Sequence, residues 1–150
     1  IDRSQLCYLQ NRNPDGSKHL TPAPDILKRI GFRIPTIEEW IYAGRGNTST
    51  QRYSGTDLSF FSNYAWNLHN STNLKLQPAA QLKPNDFGLF DVLGNAMEWC
   101  STDDYPIVSG RSIGASVTQM IISDRRRVNS SQRVSNISFR IAHSVVVVEK

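Results

Sequence analysis

The sequence predicts a mixed α and β chain with one short, well-marked helix, a few short strands and much irregular backbone. Thr36 followed three residues later by Glu39 marks a helix start, and Ile37, Trp40 and Ile41 then recur at helical spacing. Ala96 to Cys100 alternates in the manner of a strand, with Met97 and Trp99 on one side and Glu98 on the other. Around these two segments, stretches rich in Asn, Ser, Gly and Pro read as turns and loops. A chain of 150 residues corresponds to a single domain, 1–150, with one core.

In chain order, Ile1 to Pro24 reads as an irregular surface lead-in, with Asn13-Pro14-Asp15-Gly16 as a turn. Pro24 to Ile30 is expected to form a short helix ended by Gly31. The helix from Thr36 follows, closing near Ala43-Gly44, with Trp40 as a core anchor. Thr48 to Ser62 is polar and reads as an exposed loop around Arg52-Tyr53. Asn63-Tyr64-Ala65-Trp66 supplies aromatics to cover the core, and the Asn-, His- and Ser-rich run 67–73 is expected to stay at the surface. Ser101 to Ser116 has no clear trace, and Val117 to Ile122 is a short strand candidate. Arg125-Arg126-Arg127 is either an anion-binding patch or a solvated face with one arginine turned inward. Ile137 to Val148 holds two apolar runs around His143, of which Val145 to Val148 is a strong β former.

Composition narrows the function classes. With 39% hydrophobic and 20% charged residues the chain is an ordinary globular one. Seventeen basic against 13 acidic residues give a net charge of +4, short of a nucleic-acid footprint. No apolar run reaches the ~18 residues of a membrane helix, and Ile1 to Gln10 lacks signal-peptide character, so neither membrane nor location is indicated. The chain opens without Met and is read as a fragment or processed product. Cys7 and Cys100 are too few for a disulfide scaffold.

The most informative stretch is Pro84 to Cys100. Pro84, Asn85, Asp86 and Gly88 supply turn chemistry, an apolar run follows at Leu89, Phe90, Val92 and Leu93, and Gly94-Asn95 leads into the strand. Glu98 inside so apolar a strand requires donors, a cation or water, because burying a carboxylate unpaired costs several kcal/mol. Asn85-Asp86-Phe87-Gly88-Leu89-Phe90-Asp91 and Gly94-Asn95-Ala96-Met97-Glu98-Trp99 resemble the signature of the formylglycine-generating-enzyme, or sulfatase-modifying-factor, family, with Met97 where Trp is usual. Gly31-Phe32-Arg33-Ile34-Pro35-Thr36-Ile37-Glu38-Glu39-Trp40-Ile41-Tyr42-Ala43 resembles a second family block. Gln5 to Tyr8 and Pro22 to Leu27 resemble the lead-in, and Ile137 to Ala142 the closing segment, so the chain is similar to the C-terminal part of the family domain.

That resemblance implies a C-type-lectin-like α+β fold. It also implies where catalysis would sit: the family's oxidising members bind copper and exchange with a substrate cysteine through a thiol pair in the segment matching Ser109 to Asn136. No cysteine lies there, so copper is not expected, since Ser, Thr and Asp cannot replace thiolate. Asn95 with Glu98, and Asn63 with Tyr64, resemble positions that hold structural calcium in the family, though the later carboxylate of the second site is missing around Ser71 to Asn73. The plain alternative pairs Glu98 with Arg140 or with backbone amides. His143 amid apolar residues is expected to be a core or edge histidine. The reading is a cysteine-deficient family domain, a pseudoenzyme with a binding or scaffold role toward a protein or small molecule, expected to be part of a larger protein with a fused neighbouring domain. An enzyme that oxidises a sulfatase cysteine to formylglycine, and a C-type-lectin-like ligand binder, are the alternatives.

Overall fold

The computed structural model describes residues 3–102, 105–129 and 134–145. Its backbone falls into two compact units, Ile1–Ile34 with Ile141–Lys150, and Pro35–Arg140.

In the first unit the expected irregular lead-in is instead a hairpin: β1 (Tyr8–Arg12) pairs antiparallel with β2 (Lys18–Pro22). The turn is the expected one. Asn13 C=O accepts from Gly16 N–H at 2.9 Å, Asp15 Oδ1 accepts from Ser17 N–H at 2.8 Å, and Gly16 takes φ +82°, which a side chain would resist. The strands escaped sequence reading because both are solvent-exposed along most of their length, so no apolar alternation marks them. The helix expected at Pro24 to Ile30 is one 3₁₀ turn, Ile26–Lys28, after which Arg29 is extended. Gly31 is needed for another reason: a Cβ there would lie 2.6 Å from Gln5 O. Cys7 is buried and donates to Gly31 O at 3.1 Å. A short pair, β3 (Phe32–Arg33) with β8 (Ala142–His143), completes this unit. His143 is an exposed edge residue whose ring tilts against Phe32 at 5.4 Å. Of the expected β run Val145 to Val148, Val145 is exposed and the rest lies outside the described residues.

The second unit is built on α1 (Ile37–Arg45) and one sheet. Thr36 and Glu39 close the capping box in both directions, Glu39 N–H to Thr36 Oγ1 at 3.2 Å and Thr36 N–H to Glu39 Oε2 at 2.9 Å. Gly44 does not end the helix. It lies within it, buried, where a Cβ would meet Val92 Cγ1 at 2.9 Å, and Gly46 at φ +55° is the left-handed cap. Asn85 adds a cap that sequence reading assigned only to its own turn: its amide donates to Ala43 O at 2.7 Å and Gly44 O at 3.2 Å.

The sheet runs β6-β5-β4-β7, formed by β4 (Met97–Cys100), β5 (Ile107–Ser109), β6 (Arg125–Arg127) and β7 (Ile137–Phe139). β5 lies in the stretch for which no trace was expected, and it is wholly buried. Val117 to Ile122 is not a strand. A Ser116-x-x-Gln119 start, with Gln119 Oε1 accepting from Ser116 N–H at 3.1 Å, turns it into the 3₁₀ segment Val117–Gln119 and sends Met120 and Ile122 into the core. The arginine run forms β6, and its three residues are all exposed, none turned inward. Trp40, Phe61, Leu93, Met120 and Ile122 are the largest fully buried apolar side chains. Arg52 and Tyr53, expected in an exposed loop, are instead buried. Asn67 corrects the expectation of a wholly solvated 67–73 segment: it is fully buried, donating to Ala65 O at 3.1 Å and accepting from His69 N–H at 2.9 Å.

Candidate functional site

β4 lies inside the sheet, antiparallel to β5 and parallel to β7. Strand alternation sends Glu98 and Cys100 to the buried face, while Met97 and Trp99 are half-buried on the other. Entry to β4 is fixed by backbone crowding. Gly94 takes φ +80°, and a Cβ there would sit 2.1 Å from Trp66 O. Asn95 follows at φ +54°; its N–H reaches Trp66 O at 3.1 Å and its side chain exchanges two hydrogen bonds with the Gln77 backbone, both 3.0 Å. The Gly-Asn pair is therefore a positioning device for the strand that carries Glu98.

Glu98 is 6% exposed, and both carboxylate oxygens are engaged. Arg140 forks onto it, Nη2 to Oε1 at 2.8 Å and Nε to Oε2 at 2.9 Å, and Trp40 Nε1–H donates to Oε2 at 2.7 Å. Arg140 Nη2 also donates to Phe90 O at 3.0 Å. The expected Glu98–Arg140 pairing is present. The Trp40 donor was not foreseen, since nothing in sequence spacing links an indole in α1 to a carboxylate 58 residues away.

Beside this pair opens a cleft of about 500 Å³. Leu76, Leu89, Phe90 and Phe139 wall it, and Asp91, Glu98 and Arg140 supply its charged groups. Its size lies within the range of small-ligand sites, and it joins apolar walls to a few convergent polar groups. Sequence reading missed the walls because Leu76 and Phe139 lie outside the stretch Pro84 to Cys100, one before it and one after, and Phe90 was read only as part of an apolar run.

The other calcium candidates lie elsewhere in this unit. Asn63 is exposed, its C=O accepting from Lys83 N–H at 2.8 Å, and Tyr64 is half-buried, its C=O accepting from Tyr53 O–H at 2.7 Å. Among the described residues no three His, Cys, Asp or Glu side chains cluster as metal ligands. Cys100 is a free, buried thiol. Burial, with the neighbouring Glu98 charge adding to it, pushes its pKa up to about 12, so it stays protonated through the physiological range.

Residues 6–145 match the model of the sulfatase-modifying factor enzyme 1-like domain. The chain belongs to this family. It is 35% identical over 82 residues to the formylglycine-generating enzyme of Streptomyces coelicolor, a match covering 47% of this chain and 26% of that protein. It is 33% identical over 87 residues to the chaperone protein LppX of Paenibacillus barcinonensis, covering 47% and 31% respectively. Among solved structures, Treponema denticola variable protein 1 superposes with a TM-score of 0.74 at 27% identity, over 93% of this chain and 62% of that one. The family domain's fold is thus α+β of the formylglycine-generating-enzyme type, and the chain spans less than a third of the length of the two sequence relatives. No helix among the described residues is long and apolar enough to cross a membrane.

Proposed function

We propose that this chain is a non-catalytic binding or scaffold domain of the formylglycine-generating-enzyme family. The observation that carries the reading is the thiol inventory. The segment 109–136, which the resemblance matches to the family's copper and exchange segment, contains no cysteine. Cys100 is a buried neutral thiol on β4, and Cys7 is a buried thiol of the other unit bonded to Gly31 O. Copper has no soft pair of ligands to occupy, and a substrate cysteine has no exposed thiolate to exchange with. A relative named as a chaperone protein supports a role in binding rather than oxidation. The ligand, a small molecule or a protein side chain, would be held in the cleft beside Glu98 and Arg140.

Incubation with copper, oxygen and a peptide carrying a sulfatase modification motif should leave the peptide cysteine unchanged by mass spectrometry. Conversion that persists in the Cys7→Ser, Cys100→Ser double variant would overturn the reading in favour of the oxidising enzyme.

Calcium does not suit Glu98 and Asn95 as they are bonded. A guanidinium occupies the carboxylate at 2.8 Å, the Asn95 amide is spent on Gln77, and the Asn95 C=O accepts from Ile113 N–H at 2.8 Å. Wild type should melt at the same temperature with calcium and with chelator. The Glu98→Gln variant should melt lower by an amount independent of the metal. A bound ion would instead stabilise wild type by about 2.7 kcal/mol at a hundredfold excess over Kd, and such a rise confined to wild type would restore the calcium site.

A further inference from the structure

A second cleft, about 340 Å³, opens at the far edge of the sheet, where β6 is the outermost strand among the described residues. Arg125, Arg126 and Arg127 line it together with Thr102, Tyr105 and Ile107. Three adjacent cations repel one another, and a strand would ordinarily relieve this with carboxylates. Among the described residues, the carboxylate next to the run in sequence is already committed: Asp124 is gripped by Arg111, Nη2 to Oδ1 at 2.9 Å and Nε to Oδ2 at 2.5 Å, leaving Arg126 at 4.0 Å. Neither Arg125 nor Arg127 pairs with a carboxylate among the described residues.

Two features organise this positive charge. Strand alternation sets Arg125 and Arg127 on the same side of β6, about 7 Å apart along the strand, a separation that two guanidinium forks can close around one tetrahedral anion. The Arg127 guanidinium lies over the Tyr105 ring, 3.5 Å from its centroid, which orders the side chain while leaving its N–H edge available. The strand itself is anchored next door, with Ser109 Oγ donating to Asp124 O at 2.6 Å.

We propose that this cleft binds the terminal oxyanion of a phosphate or sulfate monoester, with Arg125 and Arg127 as the clamping residues and Tyr105 as the platform that positions Arg127. The site is separate from the cleft beside Glu98 and does not depend on the binding role assigned there.

The test is an NMR titration of the full chain with phenyl phosphate and, separately, phenyl sulfate at physiological ionic strength, following arginine Nε–H and Tyr105 ring signals. Saturable shifts at these residues are expected with at least one ester, and the tighter of the two identifies the source of the oxyanion. Arg125→Ala and Arg127→Ala should each weaken binding by about tenfold or more, the loss of a charge-assisted pair. Arg127→Lys, which keeps charge but not the planar fork, should recover only part of the affinity. Arg12→Ala, an exposed cation on β1, should leave it unchanged. All of these positions are exposed, so folding, checked by circular dichroism, should be retained. Equal losses from Arg12→Ala and Arg127→Ala would reduce the effect to diffuse charge and overturn the proposal. So would binding that emerges only when Asp103 and Asp104, next to Thr102 in sequence, are both changed to Asn, because the arginines would then already be occupied by the chain itself.

Discussion

Trp40→Ala should destabilise the protein by about 3 to 5 kcal/mol in chemical denaturation, the range for emptying a large aromatic site in a core. The ring is 2% exposed and packs among the residues that join α1 to the sheet, including Val92, Leu93 and Ile122. The substitution also removes the indole donor 2.7 Å from Glu98 Oε2. Trp40→Phe separates the two contributions: it keeps most of the apolar volume and loses the donor, so it should cost about 1 to 3 kcal/mol, the value for one unmet buried hydrogen bond. A loss below about 1 kcal/mol for the alanine variant would mean that α1 is not anchored by this side chain.

Arg140→Ala should be nearly as costly, about 3 kcal/mol or more, because removing one partner of a buried ion pair strands the other. The two members are not equivalent. The Glu98 side chain is 8% exposed and that of Arg140 26%, so an orphaned guanidinium can reach water whereas an orphaned carboxylate cannot. Glu98→Gln, which keeps an acceptor for Trp40 Nε1–H, should therefore cost about 1 to 2 kcal/mol. The double variant Glu98→Gln, Arg140→Ala should be more stable than Arg140→Ala alone, since no charge is left buried. Equal losses from the two single variants, or a double variant showing their simple sum, would count against a desolvated pair.

How much of this could be read in advance depends on whether the cause was local. The capping box at Thr36 and Glu39 involves residues three apart, and it was legible. So was the alternation that puts Glu98 opposite Met97 and Trp99. The Asn13 to Gly16 turn was legible too, but the hairpin around it was not, because Gln10, Asn11, Arg12 and His19 pair through backbone and leave no apolar pattern. Val117 to Ile122 misled for the converse reason: its apolar residues are core residues, yet the Ser116 and Gln119 cap favours a turn over an extended strand. β5 was missed because a three-residue buried strand is too short to carry a period.

At the candidate site, the need of Glu98 for a partner followed from burial physics, and Arg140 stood among the alternatives. Which one held it could not be settled by spacing, since guanidinium, amides and calcium all satisfy a carboxylate. The two motif blocks determined the family, and the absence of cysteine between Ser109 and Asn136 is the sequence fact on which the proposed non-catalytic role rests. Tertiary structure alone decided that Trp40 completes the Glu98–Arg140 network, that Asn85 caps α1 from 41 and 42 residues away, that Phe90 and Phe139 wall a cleft, and that the arginine run lies wholly exposed at a sheet edge. Each of those outcomes depends on residues brought together across long sequence separations, and hydrophobic period and capping chemistry act only over a few residues.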